Sequence, residues 1–518
     1  MMLPHGVYLL SAVLALGSHV LATDFSDIPS RLQAISADIV PDLKAIAVDI
    51  WNHPELGRSE FHAHDLIVDY FTTQRPGEWT VTPHAYPGLP TSWRLEFEFR
   101  TPSTPPDQPL PTIGFLAEYD ALVQIGHACG HNHIAMLGLA VSGMVRRAII
   151  ELGISARVVV VGTPDEEGEA GKHDLLLAGA FDGIDIWFMA HPTSASAIQP
   201  MNARINAVGH FRRDTHADVV RTAYEALVAV RDRAAAGLPG TASSVNAVED
   251  VGMFASNVVQ SQISLGFNGT SLETVQQTVS SILDSTYPGV TFVAGNDETV
   301  PGGVNLTVFG PGGHASESTK SPLVLTIETF RQLSPRGNVS FYLPGNTTCT
   351  ALDITWDLRT RYTQDLSSVL APISAEIQAG AAAIATDTIY PSLEVTPVLP
   401  DMFLDLVQQP EYFGPSNNWQ LSTFAPASTD ASWLQNAVLD PETHALIGAD
   451  RVVFHPNYGI CEPGASCAFN HEPGFREVAG TEYSYAQTEI VARALADIAV
   501  RVLGDDALRA NVTAILRK

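Results

Sequence analysis

The 518-residue sequence predicts an α/β protein built on a mainly parallel sheet. Three observations carry that reading. Residues 156–162, ARVVVVG, set four valines in a row before a Thr-Pro turn, the pattern of a strand buried on both faces. TIGFLA at 112–117 and GIDIWFMAHP, ending at Pro192, read as two more short apolar strands. Between the first two strands in the chain lies HIAMLGLAVSGMVRRAIIEL, a stretch apolar enough for a long buried helix, and Ser30 to Trp51 reads as an amphipathic helix before them. Strands alternating with helices give a parallel sheet.

In such sheets ligands bind beyond the carboxyl ends of the strands. Here those ends carry chemistry. The 112–117 strand leads into Glu118-Tyr119-Asp120 and then into GHACGHNHIA, which sets three histidines and a cysteine between positions 127 and 133. The valine strand leads into Asp165, Glu166 and Glu167, and the third strand reaches His191. Far downstream, CAFNHEPGF supplies His471. Cysteine, histidine and glutamate suit zinc and similar transition metals. Cys129, His131, Glu167, His191 and His471 make five donors, too many for one tetrahedral ion and suited to two ions sharing a bridge. Two ions about 3.5–4 Å apart can hold a bridging water and polarise a carbonyl. Glu166, beside the ligand Glu167, is the natural base for that water.

The formal net charge of −28 repels nucleic acid and anionic membranes, so neither is an expected partner. An anionic substrate would need local arginine, lysine or metal. Residues 1–22 read as a secretory signal peptide, with an apolar run from Val7 to Leu16 and a small residue, Ala22, at the cleavage point, although the segment before the run lacks Lys and Arg. Sequons at Asn268, Asn305, Asn338, Asn346 and Asn511 agree with a secreted glycoprotein. No later segment is expected to span a membrane. Of the four cysteines, Cys461 and Cys467 bracket a turn-rich EPGAS and are expected to pair, while Cys349 has no evident partner.

The motifs HPELG (53–57), GFLAEYDAL, GHACGHNHIA, GTPDEEGEAGK, AHP (190–192), ASTD (427–430) and NHEPGF together resemble the dinuclear metallohydrolases of the aminoacylase, carnosinase and carboxypeptidase type. The resemblance is nearest to their amidohydrolase branch, with the plant auxin-conjugate hydrolases and the mammalian dipeptidases. It implies a hydrolase with two divalent ions, zinc or manganese, on the five donors above, with Glu166 as general base. Many members of the branch have aspartate where this chain has Asn132.

The resemblance also implies a smaller βαββαβ lid inserted into the catalytic domain, often used for dimerisation, whose histidine commonly reaches a partner's site. The insertion here, 202–397, is near twice the length of one lid, and two units are expected, 202–300 and 301–397. The flanking segments 23–201 and 398–518 then form the catalytic domain. His216 and His314 stand at corresponding places, 98 residues apart. GPGGHAS around His314 has glycines that let backbone approach a substrate, so His314 is expected to stabilise the oxyanion, with Asn346 near it. Arg359 in DLR is expected to clamp a substrate carboxylate, a task that suits its bidentate fork. Asn346 also heads a sequon, and a glycan there would exclude it from a site.

The expected activity is hydrolysis of an amide in a small N-acyl amino acid or dipeptide with a free carboxylate. Trimming of longer peptides and a catalytically inactive binding relative are the alternatives. A doubled lid would leave the chain monomeric, and a single lid would make it a homodimer.

Overall fold

The computed structural model describes residues 25–238, 242–250, 256–283, 289–315 and 321–517, with the backbone alone for 242–250. The expected signal segment 1–22 lies outside them.

The central sheet has six strands in the order Thr80–Thr82, Arg94–Phe99, Ala156–Gly162, Thr112–Ala117, Ile186–Phe188, Val452–Phe454. The last four are mutually parallel, and Arg94–Phe99 pairs antiparallel with both its neighbours, Thr80–Thr82 and Ala156–Gly162. The valine run shows why these strands read as continuous apolar stretches. Val158 and Val160 join the core beneath one face, and Val159 and Val161 join the core beneath the other. Helices Ile28–Asn52, His131–Leu152 and Glu482–Gly504 pack against one another over the first face. The short helix Gly171–Leu177 contributes Leu175 to the second. The His131–Leu152 helix is long and apolar enough to cross a membrane, contrary to the expectation for segments past residue 22, but most of it is buried inside the protein.

GIDIWFMAHP does not form one strand. It splits into Ile186–Phe188 in the sheet and His191–Thr193, which pairs in parallel with Asn457–Gly459.

The insertion holds two four-stranded antiparallel sheets, each with two helices, and they are nested. The outer unit has strands Ala203–Arg212, Ala242–Asp250, Ala351–Thr360 and Ala383–Thr386, with helices His216–Ala235 and Leu366–Gln378. The inner unit has strands Gln262–Asn268, Thr291–Asp297, Gly303–Phe309 and Ser340–Tyr342, with helices Leu272–Ile282 and Pro322–Leu333. Each runs βαββαβ, and in each the fourth strand lies beside the first and the third beside the second. The division at 300/301 is therefore corrected, since it cuts the inner sheet between two paired strands. Ala383–Thr386 closes the outer sheet, and the apolar SLEVTPV that follows is not a strand. One apolar core joins both units, and a large shared core is what holds an inserted unit in place.

A two-stranded ribbon, Val258–Val259 with Gly313–His314, lies beside the inner sheet. It brings Asn257 and His314 together, with Ala315 N–H donating to the Asn257 carbonyl at 2.9 Å.

Candidate active site

Gly130 caps the His131–Leu152 helix with φ 85°, and a Cβ there would lie 2.6 Å from Pro192. Only glycine fits this turn without strain, and it aims Cys129 and His131 at the same space. His131 Nδ1 sits 2.9 Å from Asp120 Oδ1, and the other Asp120 oxygen accepts the Glu167 N–H at 2.9 Å. One carboxylate thus orients two donors, as the groups behind metal ligands commonly do. His131 Nε2 then faces Glu118 Oε2 at 3.5 Å, Glu167 Oε1 at 3.7 Å and Glu166 Oε2 at 3.8 Å. Cys129 Sγ lies 3.4 Å from His191 Nε2, and His471 Nε2 lies 3.4 Å from Glu167 Oε1.

The five expected donors fall into two triads, Cys129–His131–His191 and Cys129–Glu167–His471, each with its ligand atoms within 4.8 Å of one another. Cys129 belongs to both, and His131 and Glu167 recur with Glu166 in a third such group. His131 Nε2 and Glu167 Oε1 are buried with no hydrogen-bond partner. Buried polar atoms normally have one, and a cation between them would satisfy both. His471 adopts φ 69° and Asp165 φ 63°, strained values for such residues that cluster at functional sites.

The electrostatics divide the two adjacent glutamates. Burial and the neighbouring Glu167 and Glu118 carboxylates push the Glu166 carboxyl well up. Burial acts the same way on Glu167, but His471 and His131 outweigh it and hold Glu167 well below the usual range. Two carboxyls with proton affinities driven apart suit one base and one ligand. Behind them Lys172, wholly buried, places Nζ 2.6 Å from Glu118 Oε1 and 2.5 Å from Asp430 Oδ1.

The site opens into a cavity of about 340 Å³ lined by Cys129, Glu166, Glu167, His191 and His471 from the body and by Arg204, Asn257, His314 and Arg359 from the insertion.

No family model matches the chain. Over 160 residues it is 46% identical to the human Xaa-Arg dipeptidase, a match covering 30% of this chain and 36% of that protein. Over 164 residues it is 28% identical to one of the subunits of the p-aminobenzoyl-glutamate hydrolase of Escherichia coli (strain K12), covering 28% and 31%. The matches span about a third of each relative's length. That stretch of the chain is similar to these two enzymes. Its fold also matches the crystal structure of an aminobenzoyl-glutamate utilization protein from Klebsiella pneumoniae, with a TM-score of 0.50, 12% identity, and coverage of 90% of this chain and 98% of that one.

The lid residues sort clearly. His314 lines the cavity, with its ring centroid 4.6 Å from that of His471. His216 lies elsewhere, its Nδ1 2.8 Å from the Cys349 carbonyl and its Nε2 accepting the Leu343 N–H. Arg359 is buried, not on the surface. Its guanidinium donates to both oxygens of Asp357, at 2.7 and 3.2 Å, and to Ser428 Oγ. Asn346 is corrected: it is exposed in the turn after Ser340–Tyr342 and takes no part in the cavity. The asparagine that the insertion brings to the cavity is Asn257, whose Nδ2 donates to Glu167 Oε2 at 2.6 Å and whose carbonyl lies 2.9 Å from His471 Nδ1. The sequence reading also passed over Arg204, which donates from Nε to Asp357 at 2.5 Å and stands over the Tyr390 ring. Its signal was a charge inside an apolar strand, ARINAV. Lys172 had one too, in the lysine ending GTPDEEGEAGK. Asn257 had none, since NVV looks like any strand start. Cys461 and Cys467 are paired as expected.

Proposed function

We propose that this chain hydrolyses the amide bond of a small N-acyl amino acid or dipeptide that carries a free carboxylate. Two divalent ions, zinc or manganese, would be held by Cys129, His131, Glu167, His191 and His471. Bound there, they would supply an activated water and polarise the scissile carbonyl.

The chain's own residues do the rest. Glu166, with its raised proton affinity, takes a proton from the attacking water and hands it to the departing amine. Burial drives the His314 imidazole well below its usual pKa, so it stays neutral and offers an N–H to the oxygen that gains charge. Arg359 receives the substrate carboxylate. Two guanidiniums, Arg204 and Arg359, share the single Asp357 carboxylate between them, which leaves positive charge for an anion within a strongly acidic protein. Two relatives with names that specify small amide or dipeptide substrates support the size class. His314 comes from the inner lid unit of the same chain, so one chain completes the site and the protein works as a monomer. Asn346 is exposed, so its sequon could take a glycan if the chain enters the secretory pathway.

The observation that carries this reading is the Glu166 carboxyl facing a cavity ringed by two donor triads that share Cys129. Glu166→Gln tests it. Turnover of acyl-amino acids and dipeptides should fall by about 10²-fold or more, while metal content by mass spectrometry stays at the parent's level. Full turnover with full metal content would overturn the role of Glu166.

A further inference from the structure

HPELG is a motif the proposed chemistry leaves unused. It belongs to the loop 53–60 between helix Ile28–Asn52 and helix Phe61–Asp69. The loop lies directly against the acidic turns of the site. The Glu55 carbonyl accepts the Ala121 N–H at 2.8 Å, Arg58 Nε donates to Asp165 Oδ2 at 2.6 Å, and Glu60 Oε1 accepts the Asp165 N–H at 2.9 Å. Gly57 lies so close that a Cβ there would be 2.2 Å from Asp165 Oδ1.

At the base of this loop, donor atoms converge from both of its ends. Asp49 and His53 stand one turn apart where the first helix finishes, and His62 opens the second helix. His53 Nδ1 lies 3.0 Å and His62 Nε2 2.5 Å from the same Asp49 oxygen, and His53 Nδ1 is also 2.9 Å from the Asp49 carbonyl, a contact that an entering ion would replace. The two imidazole centroids are 4.5 Å apart, and the three ligand atoms all lie within 4.8 Å of one another. The side chains are 40–57% exposed, so an ion could reach them from solvent with water filling its remaining positions. A helix C-terminus favours a cation, and so does a net charge of −28. Two imidazoles with one carboxylate suit zinc, whereas calcium and magnesium take oxygen donors.

We propose that Asp49, His53 and His62 form a surface zinc site, separate from the centre around Cys129, that clasps the two ends of the 53–60 loop. Both imidazoles bind as neutral ligands, so protons they carry in the free site leave as the ion enters. Clasping the loop steadies the segment that holds Ala121 and Asp165, next to Asp120 and Glu166.

The test counts metal and does not depend on activity. The full chain is equilibrated with zinc beyond the amount the Cys129 centre takes up, and bound zinc per chain is measured by mass spectrometry and calorimetry. The parent should hold one ion more than His53→Gln, His62→Gln and the double variant, and a calorimetric phase present in the parent should be missing from all three. Hydrogen exchange across 53–60 should slow on adding zinc in the parent and stay unchanged in the variants. Cys129→Ser should retain the surface phase. Equal zinc counts in the parent and the folded double variant would overturn the site, and would mean that the two imidazoles and Asp49 are held by hydrogen bonds alone.

Discussion

Asn257→Ala removes one hydrogen bond and little else. The side-chain Nδ2 donates to Glu167 Oε2 at 2.6 Å, whereas the contacts to His471 and Ala315 use the main-chain carbonyl and survive the change. That donor leaves Glu167 Oε1 turned toward His131 and His471, at 3.7 and 3.4 Å. A hydrogen bond to a charged group contributes about 1.5–3 kcal/mol, which at about 1.4 kcal/mol per decade is about a 10- to 150-fold change in an equilibrium constant. Groups that orient ligands typically change metal affinity about 10–100-fold, so the two estimates agree. Metal affinity should therefore fall by at least about tenfold, read by competition with a chromophoric chelator, with circular dichroism confirming the fold. Asn257→Asp should do worse as pH rises. At 2.6 Å its carboxyl can donate to Glu167 only while protonated, and once ionised it repels Glu167. Affinity of the alanine variant within twofold of the parent, with its fold intact, would refute the idea that this lid residue orients a ligand on the catalytic body.

Three further outcomes are expected. His314→Ala should lower turnover by about 10²–10³-fold, while His216→Ala, away from the cavity, should leave it near the parent's level; the reverse order in steady-state assays would place the working histidine on the outer unit. Mixing Glu166→Gln with His314→Ala should restore no activity if each chain completes its own site, and recovery on mixing would show that chains exchange histidines. Burial lowers the His133 imidazole from 6.5 to about 4, held neutral between the Ala479 carbonyl and Thr488. Its folded pKa lies below the unfolded one, so the unfolded chain binds more protons below pH 6.5. The stability it contributes is present above 6.5 and is lost as pH falls toward 4, by about 3 kcal/mol at most. The urea-unfolding gap between parent and His133→Gln should narrow over that window, and a gap independent of pH would contradict a buried neutral imidazole.

The parts legible in the sequence are those written in short stretches of chain. Four consecutive valines must be buried on both sides, and they are, shared between two cores. His471 could be named only from its CAFNHEPGF motif far downstream, whereas Cys129, His131, Glu166, Glu167 and His191 could be named because they follow consecutive strands of a parallel sheet or crowd one helix start. The cysteines six residues apart could be paired on the same ground. What the tertiary structure decided depends on pairing across long separations. Ala203–Arg212 lies beside Ala351–Thr360, with a whole second unit threaded between them in the chain, and no periodicity reports which strand will be whose neighbour. ASSVNAVED alternates too weakly to read as a strand from sequence, and without it the two units read as consecutive. The choice of Asn257 over Asn346 was decided in the same way. Both are asparagines near a lid strand, and only the pairing of Val258–Val259 with Gly313–His314 sets the first beside Glu167, while the turn after Ser340–Tyr342 leaves the second in solvent. Arg204 and Arg359 likewise meet over one carboxylate because their strands are neighbours, a contact 155 residues apart that only the folded sheet can make.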